Sequence, residues 1–155
     1  MIYTGNPDEL SIDSVSLKCL GLESDNKGEL RNRVIEEASS DYILWISNSC
    51  EMDFDFIEEI REVLEEYLDA DIIYPNKVQI GLDGQEKVFK YDEFYGREFD
   101  LIRNLKLESV IPEWGVLTKR DTFRKLGGFD QSFVNYEFYD FLWRNIKDLK
   151  LKHTN

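Results

Sequence analysis

Between Asp41 and Cys50 the chain reads DYILWISNSC, and Ile43, Leu44, Trp45 and Ile46 form an unbroken apolar run. Successive side chains of a strand point to opposite faces, so a half-exposed strand alternates apolar and polar residues. A run without alternation is the pattern of a strand covered on both faces. The expected fold is therefore α/β: a mostly parallel sheet with helices on either side, in three layers. In such sheets ligands bind beyond the carboxyl ends of the strands. Here that position carries Ser47, Asn48 and Ser49, three small polar side chains without a charge among them.

The flanking segments fit this plan. MIYT at the start and Val15 to Leu22 read as strands. From Glu29 to Ser39, Leu30, Val34, Ile35 and Ala38 recur at helical spacing. Behind Asp55, expected to cap a helix with Glu58 as its capping-box partner, Phe56, Ile57, Ile60, Val63, Leu64, Tyr67 and Leu68 trace an apolar stripe. Asp71 to Ile80 reads as a strand, turned at Asp83-Gly84 into a hairpin with VFKY. Residues 92–110 carry weak periodicity. Trp114 to Thr118 is expected as a short strand and Lys119 to Leu126 as a helix stopped by Gly127-Gly128. A last helix begins near Tyr136, and KLKHTN, with His153, reads as a frayed end. Strand and helix alternate through the first half, as a parallel sheet requires, and a length of 155 residues leads us to expect a single domain over 1–155.

Composition narrows the function. The chain has 155 residues, 42% hydrophobic and 14% aromatic, which suits a packed core rather than a disordered acidic segment. Its net charge of −13 repels a nucleic-acid backbone, so no nucleic-acid polymer is expected as a partner. No apolar run is long enough to span a bilayer, and no leader pattern opens the chain. Two cysteines, Cys19 and Cys50, are too few for a disulfide framework. A cytoplasmic location is the expectation.

Two longer stretches carry a resemblance. GELRNRVIEEASSDYILWISNS is similar to the middle of a family 2 glycosyltransferase of the GT-A fold, where an Arg-Asn helix leads to a buried strand ending in Asp-x-Asp. TKRDTFRKLGGFDQSFVNYEFYDFLWR resembles that family's second half, where Gly-Gly-Phe-Asp precedes an acidic Glu-Asp pair opening a helix that ends in Arg. The resemblance implies sugar transfer from a nucleotide-diphosphate donor to a hydroxyl acceptor. It places Arg31, Asn32, Ser47, Asn48 and Ser49 on the donor side; Trp114, outside both stretches, is a candidate to stack on an acceptor sugar through its indole. In the family, the Asp-x-Asp holds a divalent metal against the donor diphosphate and the Asp of the Glu-Asp pair is the general base.

This chain departs at both motifs. Ser47 and Ser49 occupy the aspartate positions and Phe138 the base position. Hydroxyls are weak ligands for hard cations, so no cofactor is expected, Mn or Mg entering only through another carboxylate site such as Asp53 with Asp55. Glu137 and Asp140 are the remaining candidates for a base. Against that family's plan, one strand-helix unit is expected to be absent from the N-terminal half. MIYT is expected to fill the gap, pairing parallel with VSLKCLGL on one side and with residues 43–46 on the other; a strand from a second copy is the alternative. Two functional classes follow: a glycosyltransferase-like enzyme with eroded motifs, or a non-catalytic binding module or partner subunit. Candidate partners are a nucleotide-sugar, a saccharide, or a second copy.

Overall fold

The computed structural model describes residues 2–3, 18–19, 24–47, 49–53, 55–91 and 111–154. Among these residues the central sheet has four strands: β3 (Tyr42–Trp45), β4 (Ile72–Tyr74), β7 (Val116–Lys119) and β8 (Leu151–His153), in the order β3-β7-β4-β8. β7 runs against both of its neighbours, with Trp45 opposite Val116 and Ile73 opposite Leu117. β8 runs parallel to β4, with Ile72 opposite Leu151 and Tyr74 opposite His153. β3, β4 and β8 thus share one direction.

Alternation along each strand divides the core into two. Ile43, Trp45, Ile72, Tyr74 and Val116 face one side. There they meet Val34 and Ile35 of α1 (Lys27–Glu37), Phe123 of α3 (Arg120–Lys125), and Phe138, Phe141 and Leu142 of α4 (Glu137–Asn145). Ile73 and Leu117 face the other side, against Phe56 and Ile60 of α2 (Phe56–Glu66), with Tyr42 and Leu44 packed alongside. The apolar run of β3 therefore serves two cores, and the three-layer α/β/α reading holds.

Local differences have local causes. The helix expected from Glu29 starts two residues earlier because Asn26 caps it, its Oδ1 accepting from Glu29 N–H at 3.0 Å. At α2 the expected capping box does not form. Asp55 has helical φ −94° and ψ −4°, which carries its side chain away from the first-turn amides, and it makes no capping hydrogen bond. The strand expected over 71–80 breaks at Pro75-Asn76 into β4 and β5 (Lys77–Ile80). β5 pairs with β6 (Glu86–Phe89) as a hairpin turned at Gly84, whose φ is +75°. Trp114 precedes its strand, which begins at Val116.

Two corrections concern the ends. The segment expected to fray is β8: Leu151 is buried, and its backbone pairs with the edge of β4. Near the start, β1 (Ile2–Tyr3) pairs parallel with β2 (Lys18–Cys19), as expected on that side. The other side differs, because among the described residues β1 has no ladder with β3, and β3 ends its sheet. The rest of the expected strand over 15–22, like residues 92–110 and Asn48, lies outside the described residues.

Candidate functional site

Arg31, Val34 and Ile35 of α1 and Ala38 at its C-cap are buried, at i, i+3, i+4 and i+7. The first of these is charged. Arg31 is 3% exposed, and its guanidinium carbon lies 4.8 Å from the ring centroid of Trp114 and 5.4 Å from those of Trp45, Phe129 and Phe138. A cation over aromatic faces gains from the ring quadrupoles, but burial in such a setting requires counter-charges. Two are supplied. Nη2 donates to Glu113 Oε1 at 2.7 Å, and Nη1 stands 3.2 Å from Glu137 Oε1.

The two contacts differ. The bond to Glu113 is well aligned, whereas the Arg31–Glu137 pair is off the hydrogen-bond axis, leaving both Nη1 and Glu137 Oε1 buried without a hydrogen-bond partner among the described residues. Burial pushes the Arg31 guanidinium below its ordinary pKa, opposed by the charges of Glu113 and Glu137. Lys27, one turn earlier on α1, adds a longer ion pair to Glu113 Oε1 at 3.5 Å. The cluster lies at the C-terminal end of β3, where Gly115 N–H donates to the Trp45 carbonyl at 2.7 Å.

Of the residues singled out by sequence, Arg31, Glu137 and Trp114 meet here. Glu137 is the first residue of α4 and is 1% exposed, while Phe138 and Phe141 beside it pack into the core. A general base there is sealed behind an ion pair. Asp140 pairs with Arg144 one turn along α4, Oδ2 accepting from Nε at 2.7 Å. Asn32 is committed to the backbone: its amide donates to the Phe129 carbonyl and accepts from Phe129 N–H, both at 2.8 Å. Ser47 and Ser49 form a small turn beyond β3, their hydroxyl oxygens 2.8 Å apart, with Ser49 N–H donating to Ser47 Oγ at 3.1 Å.

Glu113 and Lys27 escaped the sequence reading. A glutamate in a loop leaves no periodic trace, and it borders the weakly patterned residues 92–110. Arg31 did leave one, as a charge within an otherwise apolar helical row.

A family model described as "Glycosyltransferase like family 2" matches residues 17–153. The chain belongs to that family. Membership of glycosyltransferase-like family 2 carries with it the GT-A type of α/β fold, in agreement with the two-sided sheet. A comparison with curated proteins gives no significant match.

Ser47 and Ser49, at the positions of the family's aspartates, do not offer the carboxylates that a hard cation favours. At the end of β3 the side chains are neutral hydroxyls bonded to each other, and among the described residues no group of three or more His, Cys, Asp or Glu could hold a cation. No described helix is long and apolar enough to cross a membrane.

Proposed function

We propose that this glycosyltransferase-like domain, cytoplasmic and acting without a bound metal, takes a nucleotide-sugar or a saccharide at the C-terminal end of β3. In it the transfer of sugar to a hydroxyl acceptor is impaired. The observation that supports this reading is the Ser47–Ser49 contact, two hydroxyls 2.8 Å apart where the family resemblance puts metal-holding aspartates. A departing diphosphate accumulates negative charge, and neutral hydroxyls that already satisfy each other offer little to stabilise it. If transfer persists, Glu137 and Asp140 are the candidates for the base. Arg31, Asn32, Ser47, Asn48 and Ser49 then lie on the donor side and Trp114 on the acceptor side.

A second reading, a non-catalytic binding module or a subunit working with a partner or a second copy, draws on a different observation. Glu137 is 1% exposed and held against Arg31, and a base must come within about 3 Å of the proton that it removes.

The test is a thermal-shift series with nucleoside-diphosphate sugars, each with and without Mn²⁺. A site filled to a hundred times its dissociation constant adds about 2.7 kcal/mol, well within the resolution of a melting curve. The expected result is stabilisation that does not depend on Mn²⁺. A rise that requires Mn²⁺ would overturn the impaired-site reading, and the absence of any shift would overturn binding. Transfer assays on the same sugars separate the two classes.

A further inference from the structure

The two cations that hold Glu113 contact the same oxygen. Arg31 Nη2 and Lys27 Nζ both reach Oε1, and Oε2 has no hydrogen bond or ion pair among the described residues. The Glu113 side chain is 37% exposed, whereas that of Arg31 is 4% exposed. A carboxylate is thus fixed from below, with one acceptor oxygen left over. The anchor is rigid, since Arg31 is itself wedged among four aromatic rings. Preorganisation of this kind removes the entropic cost that a free surface glutamate meets on binding a ligand.

Trp114 is next in sequence and half-buried. The Arg31 guanidinium carbon lies 4.8 Å and Lys27 Nζ 5.8 Å from its ring centroid, so the two cations that hold Glu113 also lie against the indole and keep the two side chains together. The charges decide which ligand suits this pair. Lys27 and Arg31 are balanced by Glu113 and Glu137, so a phosphate finds no surplus positive charge and is repelled by Oε2. A neutral ring bearing hydroxyl donors and a C–H face meets both groups: Oε2 accepts from a hydroxyl, and the indole takes the apolar face.

Building on the reading that this end of the sheet handles sugars, we infer that Glu113 and Trp114 form a subsite for a neutral saccharide ring, distinct from any contact with the donor's diphosphate. The test is a ligand-observed NMR titration of the whole chain with the methyl glycosides of glucose, galactose, mannose and N-acetylglucosamine, and separately with UDP. Wild type is compared with Glu113→Gln and Trp114→Leu; should Glu113→Gln fail to fold, Glu113→Asp and Trp114→Leu carry the comparison. The expected result is that at least one glycoside binds, that each variant weakens it tenfold or more, and that UDP affinity stays within twofold. Glycoside binding unchanged in the variants would overturn the subsite while leaving sugar binding intact. So would UDP binding weakened in parallel with the glycoside, or UDP binding with no glycoside bound. Failure of every glycoside and of UDP, together with no thermal shift by any nucleotide-sugar, would remove the broader reading as well.

Discussion

Asn32 and Phe129, 97 residues apart, exchange a pair of hydrogen bonds, each 2.8 Å long. The side-chain amide presents a donor and an acceptor side by side, as a neighbouring strand would, and so ties the Gly128-Phe129 backbone to α1. Asn32, which the family resemblance puts on the donor side, is thus also a structural clamp.

Removing the clamp leaves a backbone N–H and a carbonyl without partners. Asn32→Ala is expected to cost about 2 kcal/mol or more. Asn32→Asp keeps the acceptor and loses the donor, so it should fall between Ala and wild type. Gly128 belongs to the same unit: its φ is +66°, and an added Cβ would sit 2.5 Å from Asn32 Oδ1. Gly128→Ala should therefore exceed the roughly 1 kcal/mol cost of the backbone conformation alone. Part of its penalty should disappear in the Asn32→Ala background. Urea denaturation of the four proteins gives the coupling directly.

Arg31→Met strands Glu137 in the core, and an uncompensated buried charge costs about 3–5 kcal/mol. The double variant Arg31→Met, Glu137→Leu removes both charges and should be less destabilised than Arg31→Met by itself. If the double variant is the worse of the two, Glu137 is not a stranded charge in Arg31→Met; the double variant against wild type gives the net contribution of the ion pair. Chemical denaturation decides between these outcomes.

Asp130 gives a pH dependence with a definite sign. Its carboxylate accepts from the Ser132 backbone N–H at 2.8 Å, and this bond, aided by the Ser132 hydroxyl, holds the carboxyl below its ordinary value of 3.8. A carboxyl depressed in the folded state stabilises above its unfolded pKa, and the gain is lost as pH falls through the lower folded value. Asp130→Asn should flatten part of the acid limb of the stability curve below pH about 4. Above that, the two curves should run parallel. Because the group is exposed, the effect is small and shrinks with added salt.

The hydroxyl pair at the end of β3 allows a gain-of-function test. Ser47→Asp combined with Ser49→Asp supplies two carboxylates where the hydroxyl oxygens are now 2.8 Å apart. The double variant is expected to acquire stabilisation by UDP that requires Mn²⁺, and wild type to show none. Melting curves with UDP, with and without the metal, compare the two proteins.

What could be read from the sequence was what repeats locally. The apolar run of β3 and the stripe along α2 each carry their burial pattern in a short window, and the layers follow from them. β8 gave no such signal: Leu151–His153 is three residues long and becomes a strand because Asp71 and Ile72 lie beside it, the Lys150 carbonyl accepting from both amides. Asp55 carried the right residue type for a cap but the wrong backbone angles, which composition does not reveal. The same division runs through the site. Arg31 and Glu137 stood in recognisable motifs and Trp114 beside a short apolar run, and the structure joins them. Glu113, whose role comes entirely from contacts across the fold, had no motif to announce it.

No two neighbours in the order β3-β7-β4-β8 follow one another along the chain. Trp45 and Thr118, bonded across β3 and β7, are 73 residues apart, and Asp71 and Lys150, beside β4 and β8, are 79 apart. During synthesis β3 and β4 therefore leave the ribosome long before their partners exist. Until residues 116–119 are made, Ile43, Trp45, Ile72 and Tyr74 have no completed sheet to occupy, whereas the β5–β6 hairpin can close at once. Long-range pairing of this kind folds slowly and leaves apolar strands open to aggregation meanwhile. Between the synthesis of β4 and that of β7, the nascent chain therefore carries these apolar strand residues without their β7 partners.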